Sequence, residues 1–236
     1  MLQRIQKIIS HSGYCSRRKA EHLIEQGLVK VNNKIAKIGQ SANPKKDKIT
    51  INDQLIKLKQ FEYYVLNKPK YYLCTLEKSH QEKHKKIVFE LDCLRKFKSR
   101  IYPVGRLDYN TEGLIILTND GDFANAITHP SKNITKTYDV ELDRSMTKSD
   151  LDKLKKGVFV IDRNVIPDEV KVLKQDKLRL TIHEGLNKVV KRMMKELGYK
   201  VTNLRRVAIG NLKLGLLKQG EIKKYNKNEL EKKIKA

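Results

Sequence analysis

The chain has 236 residues, 51 of them Lys or Arg against 27 Asp or Glu, for a formal net charge of +24. That length supports one large domain or a small module joined to a larger one, and the charge is most simply matched by a polyanion, with nucleic acid ahead of solvated lysine faces and of a membrane surface. No apolar run approaches the roughly 20 residues that span a bilayer and the N-terminus lacks a signal-peptide core, so a cytoplasmic protein is expected.

Cys15, Cys74 and Cys93 are odd in number and lack CxxC spacing, which supports neither a disulfide framework nor a zinc knuckle. His80 and His84 have no further ligand type at useful spacing, so metal binding is not expected.

The first elements read as helix, turn, helix, hairpin. Leu2, Ile5 and Ile9 form a short apolar stripe, and Gly13 ends that helix or opens the turn. Ser16 is placed to cap a second helix in which Ala20, Leu23 and Ile24 recur at helical spacing, and Gly27 stands where a left-handed residue closes it. Val29 and Val31 alternate with polar neighbours before Asn32, Asn33 and Ile35, the pattern of a tight hairpin, and ITIND at 49–53 reads as a further strand. Arg17, Arg18 and Lys19 fill the first turn of the second helix, where cations oppose the helix dipole. A phosphate would reverse that sign by meeting side-chain cations and free N–H groups together, so the turn is a candidate RNA-backbone site; a solvated, frayed turn is the plain alternative.

A Lys-rich stretch near 55–62 reads as a linker, closing a module at 1–60 before a second domain at 61–236. FEYYVLNKPKYYLCTL predicts a strand interrupted at Pro69, and 75–100 predicts a long loop or short helix beside the active face. The unbroken run Leu114, Ile115, Ile116, Leu117 predicts a buried strand. Beyond it, DFANAITH reads as a helix, ITKTYDVEL as a strand, and Thr147 as the cap of a helix ending before Gly157. KLRLTIHEG alternates as a strand, and VVKRMMKEL sets Val189, Val190, Met193, Met194 and Leu197 on a helix followed by Gly198. The sum is an α+β fold with a mixed, mainly antiparallel sheet.

GRLDYNTEGLIILTNDG at 105–121 sets Asp108 in a polar turn bracketed by Gly105 and Gly113, just ahead of the buried run. A carboxylate fixed there suits chemistry, and it equally suits an ordinary turn-capping Asp. No Walker or dinucleotide glycine loop, Ser nucleophile elbow or His-Glu zinc motif is present, which favours cofactor-free chemistry.

Residues 2–53, above all SRRKAEHLIEQGLVKVNNK, resemble the S4 domain, a small αL-like RNA-binding module. NKP at 67–69, the 105–121 segment, KTY at 136–138 and the EG-N-V-KRM pattern at 184–193 together resemble the RsuA-type pseudouridine synthases over essentially the whole chain, nearest to their large-subunit, B-type branch. The resemblance implies an S4 domain ahead of a pseudouridine synthase domain, with ribosomal RNA as partner: 23S rRNA or a pre-ribosomal particle, with 16S rRNA as the alternative. It also implies no cofactor, no metal and a monomer. Position by position it implies Asp108 as the nucleophile or base that opens the uridine N-glycosidic bond, and Tyr138 as the aromatic stacked on uracil. Lys191 is implied as the cation paired with Asp108, and Arg106 as the residue that fills the space of a flipped nucleotide or holds its phosphate. Asn67, Lys68, Thr111, Asn187, Lys188 and Arg192 join Arg17, Arg18 and Lys19 as implied RNA contacts.

Two places depart from the family pattern. Lys70 and Tyr71 follow NKP where a glycine is usual, and Leu186, Lys188 and Val189 replace part of a polar set. Plainer readings also stand: a surface salt bridge for Arg106, a core tyrosine for Tyr138, and a solvated helix face for Lys191 and Arg192. The competing functions are an RNA-binding protein without activity and a metal-dependent nuclease using Asp108, Asp120 and Asp122, although NDGD reads better as a helix cap.

Overall fold

The computed structural model describes every residue except Lys96, Lys98 and Ala236. The described residues form two compact units: Met1–Glu62 with Phe97–Ile101 and Asn119–Gly121, and the rest of the chain.

In the N-terminal unit, helices Ile5–His11 and Arg17–Glu25 accompany a four-stranded sheet ordered Lys34–Ile35, Val29–Val31, Ile49–Ile51, Gln54–Leu55. Ser16 caps the second helix by accepting a hydrogen bond from the Lys19 amide, and Ala20 and Ile24 turn inward among Ile5, Ile8, Ile9, Val29 and Ile51. Asn32 and Asn33 both take positive φ, as the tight turn between the Val strands requires. Two expectations are corrected. Leu2 lies outside the first helix and is exposed, the buried stripe being Ile5, Ile8 and Ile9. The 49–53 strand ends at Ile51, because Asn52 and Asp53 adopt positive φ and form a second tight turn.

The larger unit is built on a nine-stranded sheet. Its main path runs Glu169–Lys174, Lys177–Ile182, Lys136–Leu142, Val201–Ile209, Glu112–Thr118, Tyr63–Lys68, Ile222–Tyr225. Within this sheet only Glu112–Thr118 and Val201–Ile209 pair in parallel among the described residues. The central strand Glu112–Thr118 is buried along its whole length, as its apolar run predicts. Its side toward Val201–Ile209 is shared. Residues 112 and 113 pair with Arg205 and Arg206, whereas 116–118 pair with Tyr102–Val104, and the 105–111 loop leaves and re-enters the sheet at this change of partner. Gly113 makes the close approach possible: a Cβ there would stand 2.2 Å from the Arg206 carbonyl oxygen, and its φ is +108°.

Helix Val189–Glu196 buries Val189, Val190, Met193 and Met194 against Leu178, Leu180, Leu204 and the hairpin residues Val158 and Val160. That packing explains Val189 as a core residue and leaves Lys191 on the other side of the helix, half-buried. Beyond Gly198 the structure adds elements the pattern reading does not include, among them Val201–Ile209, Ile222–Tyr225 and the helix Lys227–Lys235.

Candidate active site

A cleft of about 740 Å³ opens at the 105–111 loop, lined among others by Arg106, Asp108, Tyr138, Glu184, Lys188 and Arg206. Asp108 is held from two sides. Lys191 Nζ lies 3.4 Å from its Oδ2 and donates to Asn110 Oδ1 in the same loop. From beneath, the ammonium of Lys68 donates to the carbonyls of Pro69 at 2.9 Å and Thr111 at 2.8 Å, with that of Asp108 at 3.4 Å. Burial pushes Lys68 down to about 8, against the opposing charges of Asp108 and Glu112. Lys191 is also lowered by burial, and the Asp108 carboxylate resists that shift.

The loop is thus fixed by side chains as well as by the sheet at its ends. Thr111 N donates to the Asp108 carbonyl at 3.0 Å, closing a turn around the carboxylate-bearing residue. The NKP departure is accommodated by Tyr71, which takes φ +66° where a glycine would be free of strain. Its amide donates to the Tyr109 carbonyl at 2.6 Å, and its ring meets that of Tyr109 edge-on at 5.7 Å.

Tyr138 is half-buried at the cleft wall, opposite Arg206 in the paired strands and next to a bulge at Thr137. Arg106 is exposed at the cleft, and among the described residues no carboxylate pairs with it, so the salt-bridge alternative finds no partner. Asn187 and Lys188 line the cleft before the helix, Lys188 with φ +53°, and Arg192 turns back to donate to the Asn187 carbonyl at 3.0 Å. Arg17, Arg18 and Lys19 stand exposed on the N-terminal unit.

Three expected RNA contacts are corrected. Asn67 and Lys68 are wholly enclosed and Thr111 is 2% exposed, because the strand and turn that carry them are covered on both faces. Asn67 donates to the Leu217 carbonyl, and Lys68 serves the loop from below. Conversely, Arg206, Lys136, Glu184 and Cys74 also line the cleft, and the pattern reading gives none of them a role there, although Lys136 and Glu184 stand within the KTY and EG motifs. Cys74 is a free thiol raised by burial and accepts the Leu107 amide at 3.5 Å. Glu112, from the same motif as Asp108, is buried and bonded by Gln219. Among the described residues, no group of three or more His, Cys, Asp or Glu side chains is arranged to hold a metal ion.

A family model for RNA pseudouridylate synthase matches residues 62–196, and one for the S4 domain matches residues 3–42. An uncharacterised RNA pseudouridine synthase of Aquifex aeolicus is 40% identical over 99% of this chain and 94% of its own length. The ribosomal large subunit pseudouridine synthase B of Bacillus subtilis is 37% identical over 98% of this chain and 95% of that protein. The dual-specificity RNA pseudouridine synthase RluF of Escherichia coli is 35% identical over 96% of this chain and 77% of that protein. A crystal structure of a pseudouridylate synthase superposes with a TM-score of 0.68 at 29% identity, covering 98% of this chain and 99% of that one.

Proposed function

This chain belongs to the RNA pseudouridylate synthase family, and from that premise we propose that it isomerises a specific uridine of ribosomal RNA, in the large subunit, with Asp108 as the reacting carboxylate. The observation that carries the reading is the pairing of Asp108 with Lys191 at a cleft that also holds Tyr138. A lone turn-capping Asp has no need of a half-buried cation from a distant helix or of three carbonyls fixed by a buried lysine beneath it.

In the proposed reaction the bond from uracil N1 to the ribose breaks, the base turns, and C5 bonds to the same ribose carbon while its proton is lost and N1 gains one. Asp108 acts at the ribose or removes a proton there, and Lys191 orients it and offsets its charge. Tyr138 stacks on the base, and its hydroxyl assists the departure of the C5 proton. The base reaches the cleft only after leaving the RNA stack, and Arg106, which pairs with no carboxylate among the described residues, is suited to the vacated space or to the adjacent phosphate. Arg17, Arg18 and Lys19 hold RNA backbone, and Asn187 and Lys188 contact the strand at the cleft. The large-subunit assignment draws support from the B-type relative, which matches nearly end to end. The protein acts as a cytoplasmic monomer.

The test is conversion of uridine in 23S and 16S rRNA transcripts by purified protein, read by a pseudouridine-specific chemical stop. Asp108→Asn is expected to lower conversion by at least about a thousandfold while leaving RNA affinity intact. Undiminished conversion by that variant would overturn the role of Asp108, and conversion of 16S rRNA alone would overturn the large-subunit assignment.

A further inference from the structure

Among the described residues, two buried polar atoms at the cleft have no hydrogen-bond partner: Nη2 of Arg206 and Oε2 of Glu184. Orphan groups of this kind are rare in native structures, and at the wall of a cleft the simplest account is a ligand that supplies the missing partner. Arg206 is only 5% exposed, spends its Nε on the Leu114 carbonyl at 2.8 Å, and pairs with no carboxylate among the described residues. Glu184 uses its other oxygen toward His183 Nε2 at 3.4 Å. Lys136 is near enough for both charges to act on it, and it donates to the His183 carbonyl at 3.0 Å. Tyr138 lies directly opposite Arg206 across the paired strands, which sets the two side chains next to each other on one face of the sheet.

We propose that Arg206 and Glu184 read the hydrogen-bonding edge of the target uracil and give the cleft its preference for uridine over cytidine; this rests on the functional reading above. The edge of uracil runs acceptor, donor, acceptor through O4, N3–H and O2. A guanidinium only donates and a carboxylate only accepts, so Arg206 fits a carbonyl oxygen and Glu184 fits N3–H. With O4 toward the guanidinium before the turn, cytosine brings an amino group there and a bare nitrogen lone pair to the carboxylate, a mismatch at both positions.

The reaction supplies a second reason for this arrangement. Turning uracil by half a revolution about the axis through N3 and C6 exchanges N1 with C5, as the isomerisation demands, and at the same time exchanges O2 with O4. The guanidinium therefore meets a carbonyl oxygen before and after the turn, and N3–H stays on the axis beside the carboxylate. The same two contacts serve substrate and product orientations of the base.

The probes are 5′-UMP and 5′-CMP, whose shared ribose and phosphate cancel, with binding followed by saturation-transfer NMR and turnover measured on 23S and 16S rRNA transcripts. Wild-type protein is expected to prefer UMP by about tenfold. Arg206→Met and Glu184→Ala should each bring the two affinities close together and lower kcat/KM by about 10- to 100-fold, at a melting temperature that shows the fold intact. Should Arg206→Met lose its cooperative melting transition, Glu184→Ala decides alone. Folded variants that keep the UMP preference would overturn the proposal, as would a wild-type protein that converts uridine without preferring UMP; in both cases the functional reading survives. A wild-type protein that converts uridine in neither transcript would overturn that reading and this proposal with it.

Discussion

The first turn of the Arg17–Glu25 helix and the lysines beneath the 105–111 loop are both clusters of cations, built in opposite ways. Arg17, Arg18 and Lys19 are exposed, and no carboxylate pairs with them among the described residues. Lys68 is wholly enclosed with its ammonium directed at three carbonyls, and Lys191 is half-buried against Asp108 and Asn110. Charge of the first kind acts at a distance, is screened by salt and attracts any polyanion. Charge of the second kind acts over a few ångströms in a low dielectric and fixes geometry. Under the proposed function, affinity and chemistry fall to different lysines and arginines, which makes them separable by mutation.

The sharpest break of that division is Lys191→Met. Single-turnover conversion is expected to fall by about a hundredfold or more while RNA affinity changes less than about twofold, since the lost group orients Asp108. A parallel fall in affinity would merge the two clusters into one. The triple change Arg17→Ala, Arg18→Ala and Lys19→Ala should do the reverse. RNA affinity at low salt should weaken by about tenfold and the log–log salt slope should become shallower by about 2, with the conversion rate of bound RNA unchanged.

Lys68 offers a finer test through pH. Its value is depressed from 10.5 to about 8, so between those limits the unfolded chain binds more protons than the folded one, and the contribution of Lys68 to stability rises with pH across that window. Against Lys68→Met, the wild-type unfolding free energy from denaturant titration should therefore gain about 2 kcal/mol between pH 8 and 10. Loss of the third ammonium hydrogen over the same range should slow conversion severalfold, because the neutral amine has two donors for three carbonyls. The smallest effect is expected of Tyr71→Gly, which relieves a left-handed backbone and forfeits an edge-on ring contact. Its net change in stability should stay within about 1 kcal/mol and its turnover within about twofold.

Much of the fold was legible because its signals are local. Ser16, the Asn32–Asn33 pair and the apolar spacing of Val189, Val190, Met193 and Met194 each act within a few residues, and each stands as read. The site was legible in a different way. Asp108 and Lys191 meet only when the loop and a helix far along the chain are brought together, so local physics left both with plainer readings, and the family pattern supplied the pairing. Asn67 and Lys68 misled because the family resemblance implied RNA contacts at NKP, whereas the strand that carries them is buried throughout. Arg206 left a trace that could have been followed. Leu204, Arg206 and Ala208 share one side of their strand and all are buried, so the arginine interrupts an inward-facing apolar series. Glu184 and Lys136 stand inside the EG and KTY motifs, but nothing local marks either as a cleft residue: Lys136 opens its strand, and Glu184 lies past the end of Lys177–Ile182.

The change of partner along the central strand has a consequence for the division of movement between enzyme and RNA. The loop with Asp108 is pinned at both ends by the sheet, so it has little conformational freedom left to surrender when RNA arrives. Under the proposed function, the rearrangement of the encounter falls to the nucleic acid, and the opening of the base stack is the slow, temperature-sensitive event. A target uridine placed in an open loop should be converted faster than the same uridine in a paired stem, with the gap narrowing as the stem approaches its melting temperature.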